Sequence, residues 1–162
     1  KIVAVCEGGP TRRDSVRIGL ERLPPIPWVA VHDAARPCVQ PSLLKSVLTS
    51  AQDSGAAIPG IPVTDTVKFV DETAFVESTP LRDKLWIVQT PQIFREDLIR
   101  KAYWAPPLSG QVATDDSSLV EMLGHPVKVV QGSTENIKVT TPLDLKLAET
   151  ILSMNQESNK LP

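Results

Sequence analysis

His32-Asp33-Ala34-Ala35-Arg36-Pro37 sets an acid and a strong base within one turn of each other, directly after the apolar run Trp28-Val29-Ala30-Val31. An aspartate at a strand end beside a ligand site can hold a divalent cation, because Mg2+ binds through one or two carboxylates plus substrate phosphates. An arginine just beyond it can pair bidentately with an anionic oxygen. An equally open reading is a loop salt bridge between Asp33 and Arg36, with His32 packed inward. Upstream, Gly8-Gly9-Pro10-Thr11-Arg12-Arg13-Asp14-Ser15 joins glycines that let a backbone approach a ligand to bases and a hydroxyl at a helix start. That set suits phosphate or the polar edge of a nucleotide, and also an ordinary solvated turn.

Further along, Arg82 and Lys84 precede a strand that ends in Gln89-Thr90-Pro91-Gln92. Thr114-Asp115-Asp116-Ser117-Ser118 reads first as a capped, acidic helical turn. Asn136-Ile137-Lys138-Val139-Thr140 sets one lysine in an apolar strand, either snorkelling outward or pointing at an anion. His32 and His125 are the only histidines, and neither Cys6 nor Cys38 has a nucleophile's context, which argues against a Ser-His-Asp or Cys-His hydrolase. Positive charge, a candidate metal carboxylate and hydroxyls remain. They suit nucleotidyl or phosphoryl transfer, where the protein mainly positions substrates and stabilises charge developing on phosphate.

Such groups must be carried to one place, and in an open parallel sheet that place is outside the carboxyl ends of the strands. Residues 1–5 read as a buried strand, 14–23 as a helix stopped by Pro24-Pro25, 28–31 as a strand, 41–55 as a helix and 56–63 as a strand. This β-α-β-α-β order predicts an α/β fold with a mostly parallel sheet flanked by helices. Residues 66–70 and 74–77 then alternate about a short turn, a β-hairpin that reads as a protruding arm. Strands are predicted at 85–88, 127–131 and 136–140, and helices at 95–104 and at 115–123, the latter capped by Thr114. A last helix, 142–152, is expected to pack on the sheet, and 153–162 to fray as a tail.

Bulk properties narrow the class. A chain of 162 residues is one domain with one core. The net charge of −2, without long blocks of either sign, suggests neither a nucleic-acid nor a membrane partner, so any phosphate site is local. No apolar run reaches the roughly 18 residues of a membrane span, and the sequence opens with no signal-peptide pattern, so the chain reads as soluble. Two cysteines without metal-ligand spacing fit a reducing compartment. Fifteen prolines, scattered singly or in pairs, punctuate turns.

Taken in order, Gly8-Gly9, Arg12, Ser15-Val16, His32 to Pro37, Asp65-Thr66-Val67-Lys68, Leu81-Arg82, Leu85-Trp86, Gln89 to Phe94, Thr114-Asp115-Asp116 and Asn136 to Thr140 followed by Asp144-Leu145 resemble one family. It is the 2-C-methyl-D-erythritol 4-phosphate cytidylyltransferases of the non-mevalonate isoprenoid pathway, matched over about residues 3–152. The resemblance implies a Rossmann-like nucleotidyltransferase domain over 1–152 that condenses CTP with methylerythritol phosphate, with Mg2+ on the nucleotide phosphates. Carried over residue by residue, it implies Asp33, Arg36 and Lys138 as catalytic, Asp33 also meeting the metal. Gly8, Gly9, Arg12, Ser15 and Ala34 would bind nucleotide, and Thr90 and Thr114 would bind substrate. The arm, 64–86, would build a homodimer and send Thr66 and Arg82 to the partner's substrate phosphate. The family also opens with a strand and a basic, glycine-rich triphosphate loop, with no counterpart in this sequence, so the expectation is a chain short of that strand and loop. The resemblance places the protein in bacterial cytoplasm or plastid stroma. Two other readings are carried: the related ribitol-5-phosphate cytidylyltransferases, and a non-catalytic binding or dimerisation module. Ala34-Ala35 and Leu85-Trp86 favour the methylerythritol branch over the ribitol one.

Overall fold

Short apolar runs bounded by prolines and glycines form the strands, and longer runs of helical period form the layers that cover them. The computed structural model describes residues 2, 4–106 and 113–158. In chain order the elements are α1 (Arg12–Arg22), β1 (Trp28–Val31), α2 (Pro41–Ser54), β2 (Ala56–Pro62), β3 (Phe69–Val70), β4 (Val76–Ser78), β5 (Trp86–Val88), β6 (Gln92–Arg95), α3 (Glu96–Trp104), α4 (Asp116–Met122), β7 (Lys128–Gln131) and α5 (Pro142–Ser158).

The main sheet has four rows. β6 lies antiparallel between β1 and β2, pairing Val31 with Gln92 and Ala57 with Ile93. β5 continues that row beside the far half of β2, with Gly60 opposite Val88. β7 runs parallel to β2 along its other edge. Three rows, β1, β2 and β7, therefore share one direction, as the α/β reading expects, and the β5–β6 row opposes them. The reason is the connection. The chain leaves β2 through the hairpin arm and returns without a helical crossover, and only a crossover restores strand direction.

Alternation along the strands fills both faces. Val29, Val31, Ile58 and Phe94 meet Leu20 of α1, Ile99 and Tyr103 of α3 and Val120 of α4 on one side. Ala57 and Ile93 meet Leu43, Val47 and Ala51 of α2 on the other. Gly55, at φ +82°, ends α2 in the left-handed conformation that lets the chain turn straight into β2.

Several expectations are corrected. Ile2, Ala4 and Val5 form no strand, and Ile2 and Val5 are exposed; a strand needs a neighbour's backbone groups, and no described strand pairs with this stretch, while Lys1 and Val3 lie outside the described residues. Residues 136–140 form an irregular loop held by Val139 N–H donating to the Ala35 carbonyl at 2.7 Å. The cap of α4 is Asp115, which accepts from Ser118 N–H and returns a bond to its hydroxyl, and not Thr114. Gln92–Arg95, to which the sequence assigned no strand of its own, is a central strand.

α5 extends through Ser158, so the expected tail begins no earlier than 159, and 159–162 lie outside the described residues. Nor does α5 pack on the sheet. Among its described side chains Ala148 alone is fully buried, beneath Cys38, while Leu143, Leu145 and Leu147 are exposed. Leucines two residues apart point to different sides of a helix and make no single apolar stripe. What fixes the start of α5 is a capping box: Asp144 accepts from Thr140 and Thr141 N–H, and Thr141 Oγ1 accepts from Asp144 N–H. Hydrogen bonds from the Thr140 backbone and hydroxyl, then from Thr141, hold the Asp144 carboxyl at about 2, below its ordinary 3.8. A lowered acid contributes stability that is complete above its unfolded value and lost as pH falls through the folded one. α5 should therefore lose helicity between about pH 4 and 2 in wild type, and Asp144→Asn should abolish that step in far-ultraviolet circular dichroism.

Candidate active site

The loop after β1 carries Asp33 to the middle of a cation cluster. Arg12, the first residue of α1, donates from Nε and Nη2 to Asp33 Oδ1 at 3.3 and 3.2 Å. Lys138 Nζ, from the irregular loop before α5, lies 3.0 Å from Asp33 Oδ2. Arg36 Nε stands off at 4.0 Å and spends Nη1 on the Asn136 carbonyl at 2.7 Å. The local salt bridge that the sequence left open is thus the weakest of the three. Burial would raise the Asp33 carboxyl, but the hydrogen bonds and charges of Lys138 and Arg12 outweigh it and hold the group below the ordinary range. Asp33 is ionised throughout the neutral range.

The same loop is braced from beneath. Thr90 Oγ1 accepts from Asp33 N–H at 3.0 Å and lies 2.9 Å from His32 Nδ1, while His32 Nε2 lies 3.1 Å from the Arg36 carbonyl. A carbonyl only accepts, so Nε2 carries a proton toward the Arg36 carbonyl. His32 is exposed and structural, not packed inward as one reading of the sequence had it. Gln89 and Asn136 form a second brace: Gln89 Nε2 donates to the Ser133 carbonyl at 2.8 Å, and Asn136 Nδ2 to the Thr90 carbonyl at 2.8 Å. These two buried amides tie the Lys138 loop to the β5–β6 turn.

Two cavities share this wall. One, about 570 Å³, is lined by Arg12, Asp33, Arg36 and Lys138 on one side and by Thr90, Thr114, Asp115, Ser117 and Trp86 elsewhere. The other, about 410 Å³, is lined by Arg12, Ser15, His32, Asp33, Ala34 and Lys138. Arg12, Asp33 and Lys138 border both. The sequence-predicted Asp33, Arg36, Lys138, Arg12, Ser15, Ala34, Thr90 and Thr114 are brought together here.

Other candidates are not. Gly8 and Gly9 border neither cavity; they fold back on α1, where a Cβ on Gly9 would come within 2.3 Å of the Asp14 side chain and its N–H donates to Ser15 Oγ at 3.0 Å. Thr66 and Arg82 lie exposed at the arm, the latter donating to the Thr64 carbonyl at 3.0 Å, and neither reaches these cavities. Sequence reasoning also missed Gln89, Asn136, Tyr103 and the inward role of Asp116, whose Oδ2 accepts from Arg12 at 2.7 Å. The signal available was that Gln89, Asp116 and Asn136 stand in motifs the sequence singled out.

Asp33 presents a single carboxylate among three cations. It fits a Mg2+ that takes its remaining ligands from phosphate and water better than one caged by side chains; among the described residues no three metal-ligating groups gather.

The family model for 2-C-methyl-D-erythritol 4-phosphate cytidylyltransferase matches residues 1–154. The curated protein of that description from Desulforamulus reducens is 50% identical over 153 residues, covering 94% of this chain and 65% of the relative. That from Dehalococcoides mccartyi strain CBDB1 is 45% identical over 152 residues, covering 94% of this chain and 66% of the relative. The chain thus spans a little under two-thirds of the length of these relatives. Among solved structures, that of the Thermus thermophilus cytidylyltransferase aligns with TM-score 0.80 at 43% identity, over 90% of this chain and 71% of the other. The Francisella tularensis structure aligns with TM-score 0.82 at 37% identity, over 91% and 71%.

Proposed function

The chain belongs to the 2-C-methyl-D-erythritol 4-phosphate cytidylyltransferase family, and from that premise we propose that it transfers CMP from CTP to methylerythritol phosphate with release of pyrophosphate. One observation carries the reading: two cavities meet at a wall of Arg12, Asp33 and Lys138, as a reaction between two phosphorylated substrates requires. The cavity beside Ser15, Ala34 and His32 takes the nucleotide, and the one beside Thr90 and Thr114 takes the alcohol phosphate.

The substrate phosphate attacks the α-phosphorus in line, one P–O bond forms, and the bond to pyrophosphate breaks. Lys138 and Arg12 face the charge that builds on the phosphoryl oxygens, and Arg36, fixed by the Asn136 carbonyl, orients the incoming phosphate. Asp33 keeps these cations converged and is the residue that would hold Mg2+. That ion, when bound, neutralises charge on the nucleotide phosphates.

The arm supplies the partner. β3 and β4 form their own two-stranded sheet, with Phe69, Val70, Phe75 and Val76 all exposed, a surface suited to a second copy of the chain. In a homodimer joined there, Thr66 and Arg82, which border neither cavity of their own chain, serve the other protomer's substrate phosphate. Bacterial relatives and the lack, among the described residues, of any helix long and apolar enough to cross a membrane fit a reaction in bacterial cytoplasm.

The test is pyrophosphate release with CTP and Mg2+, offering either alcohol phosphate. Release with methylerythritol phosphate, at least about tenfold faster than with ribitol 5-phosphate, is expected from polar recognition of the substrate's hydroxyls. The reverse preference would move the protein to the ribitol branch. Silence with both, from this chain and from the chain joined to the part of a relative it does not cover, would favour the binding module.

A further inference from the structure

Asp116 opens α4, and none of its side chain is exposed. A carboxylate so buried is strongly destabilising unless each oxygen is satisfied and a cation is paired with it. Both oxygens are satisfied. Oδ1 accepts from the Tyr103 hydroxyl, itself buried in α3, and Oδ2 accepts from Arg12 Nη2 at 2.7 Å. Burial first, then the neighbouring Asp116 carboxylate, pushes the Tyr103 hydroxyl far above its ordinary range, so it remains a donor.

Arg12 is therefore held in two unlike ways. Its contact with Asp33 is longer, partly exposed and shared with Lys138, so an arriving phosphate or metal ion can take it over. Its bond to Asp116 cannot be surrendered without stranding a buried charge. The side chain also borders a third cavity of about 210 Å³, beside Tyr103 and Thr114, so it stands where three concavities meet and needs an internal tether to keep one position.

We propose that Asp116, buttressed by Tyr103, is a positioning residue that fixes the Arg12 guanidinium at the shared wall to receive a phosphate of the nucleotide. This rests on the reading of that wall as a CTP site, and the test separates the two. CTP affinity is measured by titration calorimetry for wild type, Arg12→Ala, Asp116→Asn, Tyr103→Phe and the two doubles with Arg12→Ala, with a thermal midpoint for each. Asp116→Asn should weaken CTP about tenfold and Tyr103→Phe about threefold, and neither should matter once Arg12 is alanine, because the effect passes through that one side chain. Affinity unchanged in a folded Asp116→Asn, or a loss that persists in the Arg12→Ala background, would overturn the tether. Should Asp116→Asn or Arg12→Ala fail to fold, the CTP affinity of folded Tyr103→Phe, which removes one hydroxyl and leaves the ion pair, decides: a loss of about threefold supports the tether and no change overturns it. A wild-type protein that does not bind CTP would overturn the functional reading instead.

Discussion

Replacing Asp33 by asparagine should lower turnover at least about a hundredfold while leaving CTP affinity nearly unchanged, the size seen when a preorganised electrostatic group at a reacting centre is lost. Asparagine keeps the shape and one acceptor oxygen and removes the charge. Arg12, Lys138 and Arg36 then lose the anion that converges them and repel one another across the wall. They still attract a triphosphate, so binding survives. What is lost is their common aim at the phosphorus, and the carboxylate suited to the metal ion. Steady-state pyrophosphate release against CTP concentration checks this. A variant whose kcat stays within a few-fold of wild type would remove Asp33 from the mechanism. Because the carboxyl is held below its ordinary value, the wild-type rate should show no acid limb from Asp33 in the neutral range; its contribution should fade only as pH falls below 3.8.

The second large effect concerns the arm. Phe69→Ser with Phe75→Ser should turn a dimer into a monomer in sedimentation velocity and lower turnover at least about tenfold. Those rings are 57% and 73% exposed in the isolated chain. Each contributes about 1.5–3 kcal/mol when buried, and a two-fold interface counts every contact twice. That sum is comparable to the cost of association, so losing both rings from each arm removes the margin. Activity should fall with assembly, because Thr66 and Arg82 border neither cavity of their own chain. A wild type that sediments as a monomer at full activity would overturn the arm's role, and a monomeric variant at full activity would show that Thr66 and Arg82 are dispensable.

Local chemistry made much of this protein legible in its sequence. Pro24-Pro25 stops α1, Pro41 opens α2 and Gly55 closes it, and the apolar run 28–31 is β1 as read. In these places one residue type dictates φ, a missing N–H or a left-handed turn, whatever surrounds it. Asp33 and Arg36 stood out for a related reason, as charges placed just past an apolar strand, whereas the roles given to Thr90 and Lys138 rested on the family resemblance.

The rest depended on who meets whom across the fold. Gln92–Arg95 is a strand because β1 and β2 offer it two ladders, although only Ile93 and Phe94 of its four residues are apolar. Residues 136–140 look like a strand and are not one, for want of a described neighbour to pair with. The strongest ion pair of Arg12 is with Asp116, 104 residues away, and it turns an apparent helix cap residue into a buried counter-charge. Asp33 chose Arg12 and Lys138 over Arg36, three residues on in sequence, for the same physical reason. Charge pairing falls off with distance in space and is strengthened by burial. Sequence spacing sets neither, so the residue types were fixed in the chain and their partners only in the folded protein.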